Sequence, residues 1–360
     1  MPRTFSEAEV GQRIEAMRRR TPRFRDEYVT MAHGAGGKAT RALVEGLIVP
    51  LLDNAALAQL TDAALVNVGG VNIALTTDGF VVSPLSFPGG SIGELAVNGT
   101  INDLAVSGAR PLAISAALIA EEGLGADVLA AEIQAMADAS RAAGVPVVTG
   151  DTKVVERGKA DSLYIVTTGI GLVDPGTVLA PELVRPGDKV IVSGTIGDHG
   201  IAIMLARGHL EIEADVRSDT QPLWSLCEAL LSACGEHLHC MRDATRGGVA
   251  TVLNEIALSA EVGVVIAEER LPMLPEVIGA GEILGIDPLY VANEGKLVAF
   301  VAADHADAAL EVMRGRPEGR DAAIIGEVRT EPPGRVLGRT AFGGHRMIDV
   351  LVGDPLPRIC

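Results

Sequence analysis

Hydrophobic and polar positions alternate between two periods in the first half of the chain, residues 33–175. Apolar runs typical of strands occupy residues 71–77, 145–149 and 163–170. Between the strands, an alanine-rich segment at residues 128–143 has the spacing of a helix. A second set with helical spacing is Ile92, Leu95, Ala96 and Gly99. This set predicts an amphipathic helix with a small-residue face for close packing, inside an α/β domain.

The second half repeats the mixture after a turn at residues 183–188. An apolar strand at residues 189–193 follows that turn, and we take it as the start of a second domain. Helices are predicted at residues 200–207, 223–233 and 247–259, and strands at residues 262–267 and 297–302. After Gly344 the pattern is lost and residues 354–360 are rich in proline, which predicts a tail.

Length and composition agree with a two-domain enzyme. The chain has 360 residues, more than one compact core usually needs. Hydrophobic residues make up 48% but aromatics only 3%, so the interior is built from aliphatic side chains, and 42 glycines allow tight turns and close backbone approach. We expect an N-terminal extension at 1–30, domains at 31–180 and 181–345, and a tail at 346–360. A short arginine-bearing helix is predicted at residues 6–20, as a surface arm.

Charge and cysteine content restrict the partners and the compartment. Acidic residues number 47 and basic residues 30, a formal net charge of −17 that repels nucleic-acid phosphates and anionic membranes. We therefore expect no nucleic acid and no membrane as partner. The four cysteines are too few and too clustered to staple the chain, and no secretion signal or membrane-spanning run is visible. A reducing, cytoplasmic location is expected.

Aspartates recur at the ends of apolar runs, beside a turn, a glycine or a helix boundary. They are Asp62, Asp78, Asp103, Asp151 and Asp243. Carboxylates from several elements can converge on a hard cation, which keeps waters and substrate phosphates in its remaining positions. The set predicts a Mg²⁺-nucleotide site, whereas any one of these residues alone is better explained by a turn or a helix cap.

A glycine-rich loop, His33-Gly34-Ala35-Gly36-Gly37-Lys38, leads into a helical pattern at residues 39–48. Backbone N–H groups of such a loop, with the helix N-terminus, suit phosphate binding. The spacing matches neither a Walker A loop nor a dinucleotide fingerprint. The sequence therefore indicates a different class of ATP site.

Three further residues are candidates for chemistry. Lys153 and Glu294 are each predicted in glycine-bearing turns, where acid/base work, phosphate contact or a merely solvated charge are all open. Cys360 is the last residue, on a proline-punctuated tail. A terminal thiol can swing into a pocket as a nucleophile or group carrier, and it can equally be a frayed end.

The segment Cys234-Gly235-Glu236-His237-Leu238-His239-Cys240 carries residue types that bind zinc. It lacks the paired Cys-x-x-Cys arrangement of common structural sites. We favour a helix-to-strand connection with buried thiols and keep zinc as the alternative.

The motifs together resemble the HypE family of hydrogenase maturation proteins, over about residues 29–360. The set comprises the glycine loop, Asp78-Gly79-Phe80, Phe87-Pro88-Gly89-Gly90, Asn102-Asp103-Leu104-Ala105, Gly150-Asp151-Thr152-Lys153, Gly197-Asp198-His199-Gly200, Asp243-Ala244-Thr245-Arg246, Asn293-Glu294-Gly295 and Pro357-Arg358-Ile359-Cys360. The resemblance implies an α/β plus α+β fold, with two domains like aminoimidazole ribonucleotide synthetase, a flexible tail and a homodimer formed through the N-terminal sheet.

The resemblance also implies a reaction. The carbamoyltransferase HypF would load the Cys360 thiol, ATP-dependent dehydration would give a thiocyanate, and the cyano group would pass to iron on the HypC–HypD complex of [NiFe]-hydrogenase maturation. The five aspartates would hold Mg²⁺, and residues Gly34, Gly36, Gly37, Lys38 and Asn102 would join them in binding ATP. Glu294 would accept a proton and Lys153 would contact a phosphate or the carbamoyl oxygen, or the two roles would be exchanged.

Two other functions are compatible with parts of the sequence. A kinase or synthetase of the same superfamily would act on a diffusible metabolite and would need no Cys360. A non-catalytic scaffold that presents its tail to partners would turn over no ATP. Five turn-placed carboxylates and a glycine loop favour the enzyme.

Overall fold

The computed structural model of this chain describes residues 22–208, 214–351 and 358–360. The predicted helix at residues 6–20 and residues 352–357 of the predicted tail lie outside that part. The described chain forms two domains, each with its own sheet, as the sequence predicts. No described helix combines the length and the apolar character that a membrane crossing requires.

The N-terminal domain is built on a five-stranded sheet with the order β1-β2-β7-β5-β6. Strands β5 and β6 are parallel, and the other neighbours are antiparallel. The strands are β1 Ala64–Val68, β2 Val71–Phe80, β5 Ala109–Glu121, β6 Val147–Val155 and β7 Leu163–Val173. A two-stranded ribbon of β3 Ser86–Phe87 and β4 Gly90–Ser91 precedes the central helix.

The C-terminal domain has a seven-stranded sheet with the order β14-β13-β10-β12-β8-β11-β9. Only β10 and β13 run parallel. The strands are β8 Lys189–Val192, β9 Leu238–Asp243, β10 Gly263–Ala267, β11 Leu297–Val301, β12 Ala323–Arg329, β13 Arg335–Arg339 and β14 His345–Ile348. Strands β10 and β11 are buried at every position.

Helices cover one face of the N-terminal sheet and both faces of the C-terminal sheet. The α-helices are α1 Lys38–Leu43, α2 Val49–Leu52, α3 Ile92–Val106, α4 Ala126–Ala143, α5 Asp198–Ala206, α6 Trp224–Cys234, α7 Gly248–Ser259, α8 Pro275–Leu284 and α9 Ala306–Arg314. Short 3₁₀ turns lie at Met31–Gly34, Leu57–Gln59, Pro181–Leu183, Gly235–His237, Glu268–Arg270, Pro288–Tyr290 and Pro317–Gly319. Every helix predicted in the described residues is present, within a few residues at each end.

Helix α3 lies between the domains and is buried on nearly all sides, so the prediction that it is amphipathic was wrong. It packs on β2, β5 and β7 of its own sheet, on α4, and on α6 and β9 of the C-terminal domain. Small residues permit this crowding. A Cβ on Gly93 would stand 2.1 Å from the Glu132 carbonyl oxygen, and a Cβ on Gly99 would stand 2.9 Å from the Phe80 ring. The predicted small-residue face is therefore confirmed.

The predicted helix at residues 39–48 extends further, from Lys38 to Leu52. Its middle, Val44–Ile48, is π-helical, and Pro50 stands at the start of α2. Proline has no N–H to donate and its ring crowds the preceding turn, so the wider π turn lets the helix continue past it.

Two boundaries predicted from the sequence are corrected by the structure. Residues 150–153 do not form a turn, because β6 continues to Val155. A Cβ on Gly150 would stand 2.0 Å from the Ala116 carbonyl oxygen, so this glycine permits close approach of the neighbouring strand. The tail also begins later than residue 346, because His345–Ile348 forms β14 and pairs with β13. Four residues with one buried apolar side chain give too weak a pattern to recognise.

Candidate active site

Four carboxylates meet where the two domains adjoin. Oxygens of Asp62, Asp103 and Asp243 lie within 4.8 Å of one another, and the Asp78 carboxyl is hydrogen-bonded to that of Asp103. Asp62 precedes β1, Asp78 lies near the end of β2, Asp103 lies in the last turn of α3, and Asp243 ends β9. The convergence predicted for these four aspartates is thus present in the structure.

Burial and mutual repulsion oppose the charged forms of these groups. Burial is the main cause that raises the pKa of Asp103 and of Asp243 well above its ordinary value. Repulsion by Asp78 adds to the shift at Asp103, and repulsion by Asp62 adds to it at Asp243. The pKa values of Asp62 and Asp78 are raised as well, again mainly by burial. Such a crowded set of oxygen donors fits a hard divalent cation, which would restore the charged forms.

Neighbouring hydroxyls and a guanidinium fix the carboxylates. Thr76 Oγ1 donates to Asp103 Oδ2 over 2.7 Å, and Thr100 Oγ1 donates to Asp78 Oδ2 over 3.2 Å. Arg242 forms an ion pair with Asp62 across the domain boundary, with both side chains largely buried. These contacts leave the remaining oxygen lone pairs available to a cation.

Asp151 and Lys153 do not join the cluster within one chain. They lie on β6, three strands from β2, which corresponds to about 14 Å at the usual spacing. Register places them opposite Ala117 and Ile119, on the sheet face away from α3 and α4. Their side chains form an ion pair with each other and are about two-thirds exposed. That ion pair, with the backbone N–H of Thr152, lowers the pKa of Asp151.

The end of the chain reaches the same region. Backbone N–H groups of Val81 and Ser83 donate to the carbonyl oxygens of Cys360 and Arg358, over 3.1 and 3.3 Å. Ile359 is 6% exposed and belongs to an apolar core cluster with residues from both domains. In this structure the terminal residue is half-buried and hydrogen-bonded to the body of the protein, and it is not a frayed end.

The Cys360 thiol lies between Glu294 and Arg246. Burial raises the thiol's pKa to about 12, the Arg246 guanidinium opposes that rise, and a hydrogen bond with Glu294 adds to it. Burial also raises the pKa of Glu294 well above its ordinary value, with repulsion from Asp219 and Asp243 as further causes. Glu294 Oε1 is buried and has no hydrogen-bond partner among the residues that the structure describes.

The loop that carries Glu294 is fixed by side chains from both domains. Asp219 accepts hydrogen bonds from the N–H groups of Glu294 and Gly295, and it also pairs with Lys296 over 3.3 Å. Asn102 donates to the Glu294 carbonyl oxygen and to that of Gln221. Its own oxygen accepts from the Leu223 N–H. The Asn102 amide is therefore occupied in this structure in positioning the Glu294 loop.

The glycine loop closes over a cavity of about 340 Å³ that contains the Cys360 thiol. Gly34 and Ala35 line this cavity, together with Arg246 and Tyr290. The size falls in the range of small-molecule sites. Arg246 Nη1 donates to the Gly34 carbonyl oxygen over 3.0 Å. Because Arg246 and Cys360 both line the cavity, this hydrogen bond links the glycine loop to the wall near Cys360.

Gly36, Gly37 and Lys38 of the loop contact the protein and do not line the cavity. Gly36 has a φ of +76° and packs on the Arg246 backbone, and Gly37 packs on the Leu351 carbonyl oxygen. The Lys38 N–H donates to that same oxygen over 3.2 Å, and Lys38 Nζ lies 3.2 Å from Asp349. The loop is thereby anchored to the segment that follows β14.

The cysteine- and histidine-containing segment forms the predicted helix-to-strand connection. Cys234 ends α6, Cys240 lies in β9, and both thiols are buried and free. His239 is buried and hydrogen-bonded to Asp188 over 2.7 Å. These three residues do not form a group of metal-ligand side chains among the described residues.

The side chain of His237, which belongs to the same segment, lies beside those of His305 and Asp304 near the surface. The three could offer metal ligands. However, the two imidazoles are stacked 3.6 Å apart with planes 11° from parallel. Lone pairs of nearly parallel rings do not converge on one ion, so the arrangement seen here is a stacked pair.

Sequence reasoning assigned no role to three residues of this region. Arg246 faces the thiol, while His199 and Arg207 contact the chain terminus. The motifs around Asp198 and Asp243 contain His199 and Arg246, so the sequence marked their neighbourhood. Nothing in the sequence marked Arg207, because its partner is separated from it by 151 residues.

The chain was compared with known families and proteins. Models of the AIR synthase related protein match residues 60–173 for the N-terminal domain and residues 185–338 for the C-terminal domain. The carbamoyl dehydratase HypE of Rhodobacter capsulatus is 51% identical over 339 residues, covering 93% of this chain and 99% of the relative.

Solved structures give the same result. A HypE–HypF complex includes a chain that matches with a TM-score of 0.82 at 46% identity, covering 86% of this chain and 100% of that chain. A HypE structure in complex with ATP matches with a TM-score of 0.78 at 43% identity, covering 92% and 100%. The resemblance stated from the motifs and the two-domain fold expected from it are confirmed. The chain is therefore a member of the HypE family of carbamoyl dehydratases, within the AIR synthase related proteins.

Proposed function

We propose that this protein dehydrates its own S-carbamoylated Cys360 to a thiocyanate at the expense of ATP, for hydrogenase maturation. The observation that carries the proposal is the Cys360 thiol, which is held at the interdomain site beside Glu294 and the aspartates. A kinase for a diffusible metabolite would need that space for its substrate. A scaffold would need neither the carboxylates nor a buried tail.

The reaction balances with ATP as the only co-substrate. The carbamoyl oxygen takes the γ-phosphoryl group, which converts a poor leaving group into phosphate. The C–O bond then breaks, and the nitrogen loses both of its protons as the C≡N bond forms. The products are the thiocyanate on Cys360, ADP, inorganic phosphate and one released proton.

Glu294 is suited to accept a proton from the carbamoyl nitrogen. Its orphaned Oε1 is a buried acceptor, and an N–H of the carbamoyl group would satisfy it. The raised pKa of Glu294 moves it toward the working pH, where a general base is most effective. Arg246, on the other side of the thiol, would stabilise negative charge on the carbamoyl oxygen or the phosphate.

The carboxylates Asp62, Asp78, Asp103 and Asp243 would hold Mg²⁺ with the ATP phosphates. Bound there, the cation would neutralise phosphate charge and favour attack on the γ-phosphorus. The glycine loop would cover the nucleotide from the cavity side, with Gly34 closest and with Gly36, Gly37 and Lys38 setting its path. Asn102 would contribute by holding the Glu294 loop in place.

A second copy of the chain would supply Asp151 and Lys153. The sheet face that carries them also exposes the apolar side chains Val66, Leu75 and Ile170, each between 40% and 44% accessible. Burial of such a face against its own copy is favourable, because contiguous apolar surface is removed from water. In a homodimer built on this face, Lys153 would contact the phosphate or carbamoyl oxygen of the partner's site, and Asp151 would add a fifth carboxylate.

The tail would serve three sites in turn, in the cytoplasm. HypF would carbamoylate Cys360 when the tail is outward, as the relative that forms a HypE–HypF complex suggests. Dehydration would follow when the tail is inward, and the cyano group would pass to iron on HypC–HypD when the tail is outward again. Tethering gives the thiol a high effective concentration at its own site.

Mass spectrometry of the C-terminal peptide tests the proposal. After incubation with HypF, carbamoyl phosphate and ATP, Cys360 should carry a carbamoyl group that then loses one water. With ATP withheld from the second step, the carbamoyl adduct should accumulate. An adduct that never loses water, or an unmodified Cys360 while HypF is active on a known partner, would refute the assignment.

A further inference from the structure

The last three residues lie against the segment after β2, and the main-chain oxygen of each accepts a hydrogen bond from the body of the protein. Val81 and Ser83 supply two backbone N–H donors in the alternating pattern of strand pairing. The carbonyl of Ile359 lies between those two pairings and points the other way. It is satisfied by His199.

Contacts on both ring nitrogens and with the Phe87 ring hold His199 in position. Its Nε2 lies 2.5 Å from the Ile359 carbonyl oxygen, and its Nδ1 lies 2.8 Å from Ser218 Oγ. Burial lowers the pKa of His199, so the ring is neutral. A carbonyl only accepts, so Nε2 carries the proton and Nδ1 accepts from the serine hydroxyl. The Phe87 ring packs on the imidazole edge to face, 5.6 Å between centroids.

Arg207 links the tail to the segment that follows β2. Its Nε donates to the Ser83 carbonyl oxygen over 2.9 Å, and its Nη2 donates to the Arg358 carbonyl oxygen over 2.6 Å. His199 lies in the first turn of α5 and Arg207 is the residue after its last turn. One helix therefore holds two successive carbonyls of the tail.

We propose that His199 and Arg207 are positioning residues that hold the tail in its inward place and set how readily Cys360 leaves it. The hydrogen bonds from Arg207 and His199 to the tail are made with the backbone of residues 358 and 359, so they fix the location of the thiol through the main chain. This inference rests on the proposed function for its purpose. The contacts themselves exist whatever the reaction is.

The variants Arg207→Ala, Arg207→Lys and His199→Gln test how much each residue contributes to holding the tail inward. Removal of Arg207 deletes a charged hydrogen bond to the tail, which should favour exit by about tenfold. Lysine keeps the charge but cannot bridge two carbonyls in the same fork, so a smaller effect is expected. Glutamine can still donate to Ile359 and should give an intermediate result. Arg339→Ala is the matched control, an exposed arginine in β13 that pairs with Glu269.

The measurement is the rate at which iodoacetamide alkylates Cys360 in the full chain, followed by mass spectrometry. The buried thiols of Cys227, Cys234 and Cys240 report on the fold in the same sample. We expect alkylation of Cys360 to quicken in Arg207→Ala and His199→Gln, while the three buried thiols stay protected and Arg339→Ala behaves as wild type. Carbamoylation by HypF should quicken in the same order, a gain that a damaged fold would not produce.

Unchanged or slower alkylation of Cys360 in both Arg207→Ala and His199→Gln would overturn the proposal. Quicker alkylation of all four thiols would overturn it as well, because the fold and not the tail contact would then be responsible. If the variants quicken alkylation of Cys360 alone while wild-type protein never dehydrates its carbamoyl adduct, the positioning role stands and the proposed function fails.

Discussion

The Cys360 thiol lies beside the Glu294 carboxyl, 66 positions earlier in the chain, and this neighbour raises the pKa of the thiol. Burial is the larger cause and takes that pKa to about 12. In this place the thiol is protonated at neutral pH and is a poor nucleophile. The inward position therefore suits a cysteine that has already been loaded, and loading belongs to the outward position.

Replacement of Glu294 by glutamine should separate loading from dehydration. Carbamoylation of Cys360 should persist, whereas loss of water should slow by about 10²-fold or more, because the proton acceptor is gone. Mass spectrometry of the C-terminal peptide over time measures both steps. Glu276→Gln, an exposed carboxyl on α8, is the control. Normal dehydration in Glu294→Gln would remove this residue from the mechanism.

The tail should move outward as the pH rises. The inward thiol has the higher pKa, so the inward state binds the proton more tightly. Its advantage is full below the ordinary thiol pKa of about 8.5 and falls as the pH rises toward about 12. Protection of Cys360 against alkylation, corrected for the fraction of thiolate in a free peptide, should therefore decrease between pH 8 and pH 10. Constant protection would argue against a buried thiol.

Without divalent cations, the carboxylate cluster should make the protein more stable at lower pH. Asp103 and Asp243 have raised pKa values, so their contribution to stability is full below about pH 3.9 and is lost as the pH rises through those values. Lowering the pH from 8 toward 4 should raise the melting temperature more in wild type than in Asp103→Asn, because the change lies between the ordinary pKa and the raised one. The difference between the two proteins removes the effect of the other ionisable groups, which both share.

Mg²⁺ with ATP should stabilise wild type at pH 8 and should do so much less in Asp103→Asn or Asp243→Asn. A ligand that binds only the folded state raises the melting temperature with concentration, and each variant removes a carboxylate donor. Asp307→Asn, exposed in the first turn of α9, is the matched control. An equal shift in all four proteins would place the cation elsewhere.

Mixed dimers test whether Lys153 acts in the partner's site. Lys153→Ala and Glu294→Gln should each be inactive alone, and mixing them should restore dehydration, because one of the two sites in a mixed dimer contains both side chains. Lys159→Ala, exposed beyond the end of β6, should be active alone. If dehydration does not recover in a mixture shown to exchange subunits, Lys153 either acts in the site of its own chain or takes no part in the reaction. Ile170→Asp should yield monomers in sedimentation, since it places a charge on the apolar face.

The first half of the fold could be predicted because its elements are long and periodic. The helices now seen at Ile92–Val106 and Ala126–Ala143 and the strand Leu163–Val173 all carry clear spacing. The strands Ala109–Glu121, Ala64–Val68 and His345–Ile348 were missed, since alanines, exposed positions or short length weaken the pattern. Asp151 and Lys153 were placed in a turn because Gly150 precedes them, whereas that glycine provides room for the neighbouring strand.

The sequence by itself determined the family, the two-domain architecture and the chemical types of the site, because motif order and residue type are local properties of the chain. Only the tertiary structure decided which groups meet. It brought four aspartates from both domains together and left Asp151 on the outer face of a sheet. It also assigned His199 and Arg207 to the backbone of the tail. Those contacts join positions more than 150 residues apart, and the spacing of residues along a chain contains no record of such distances.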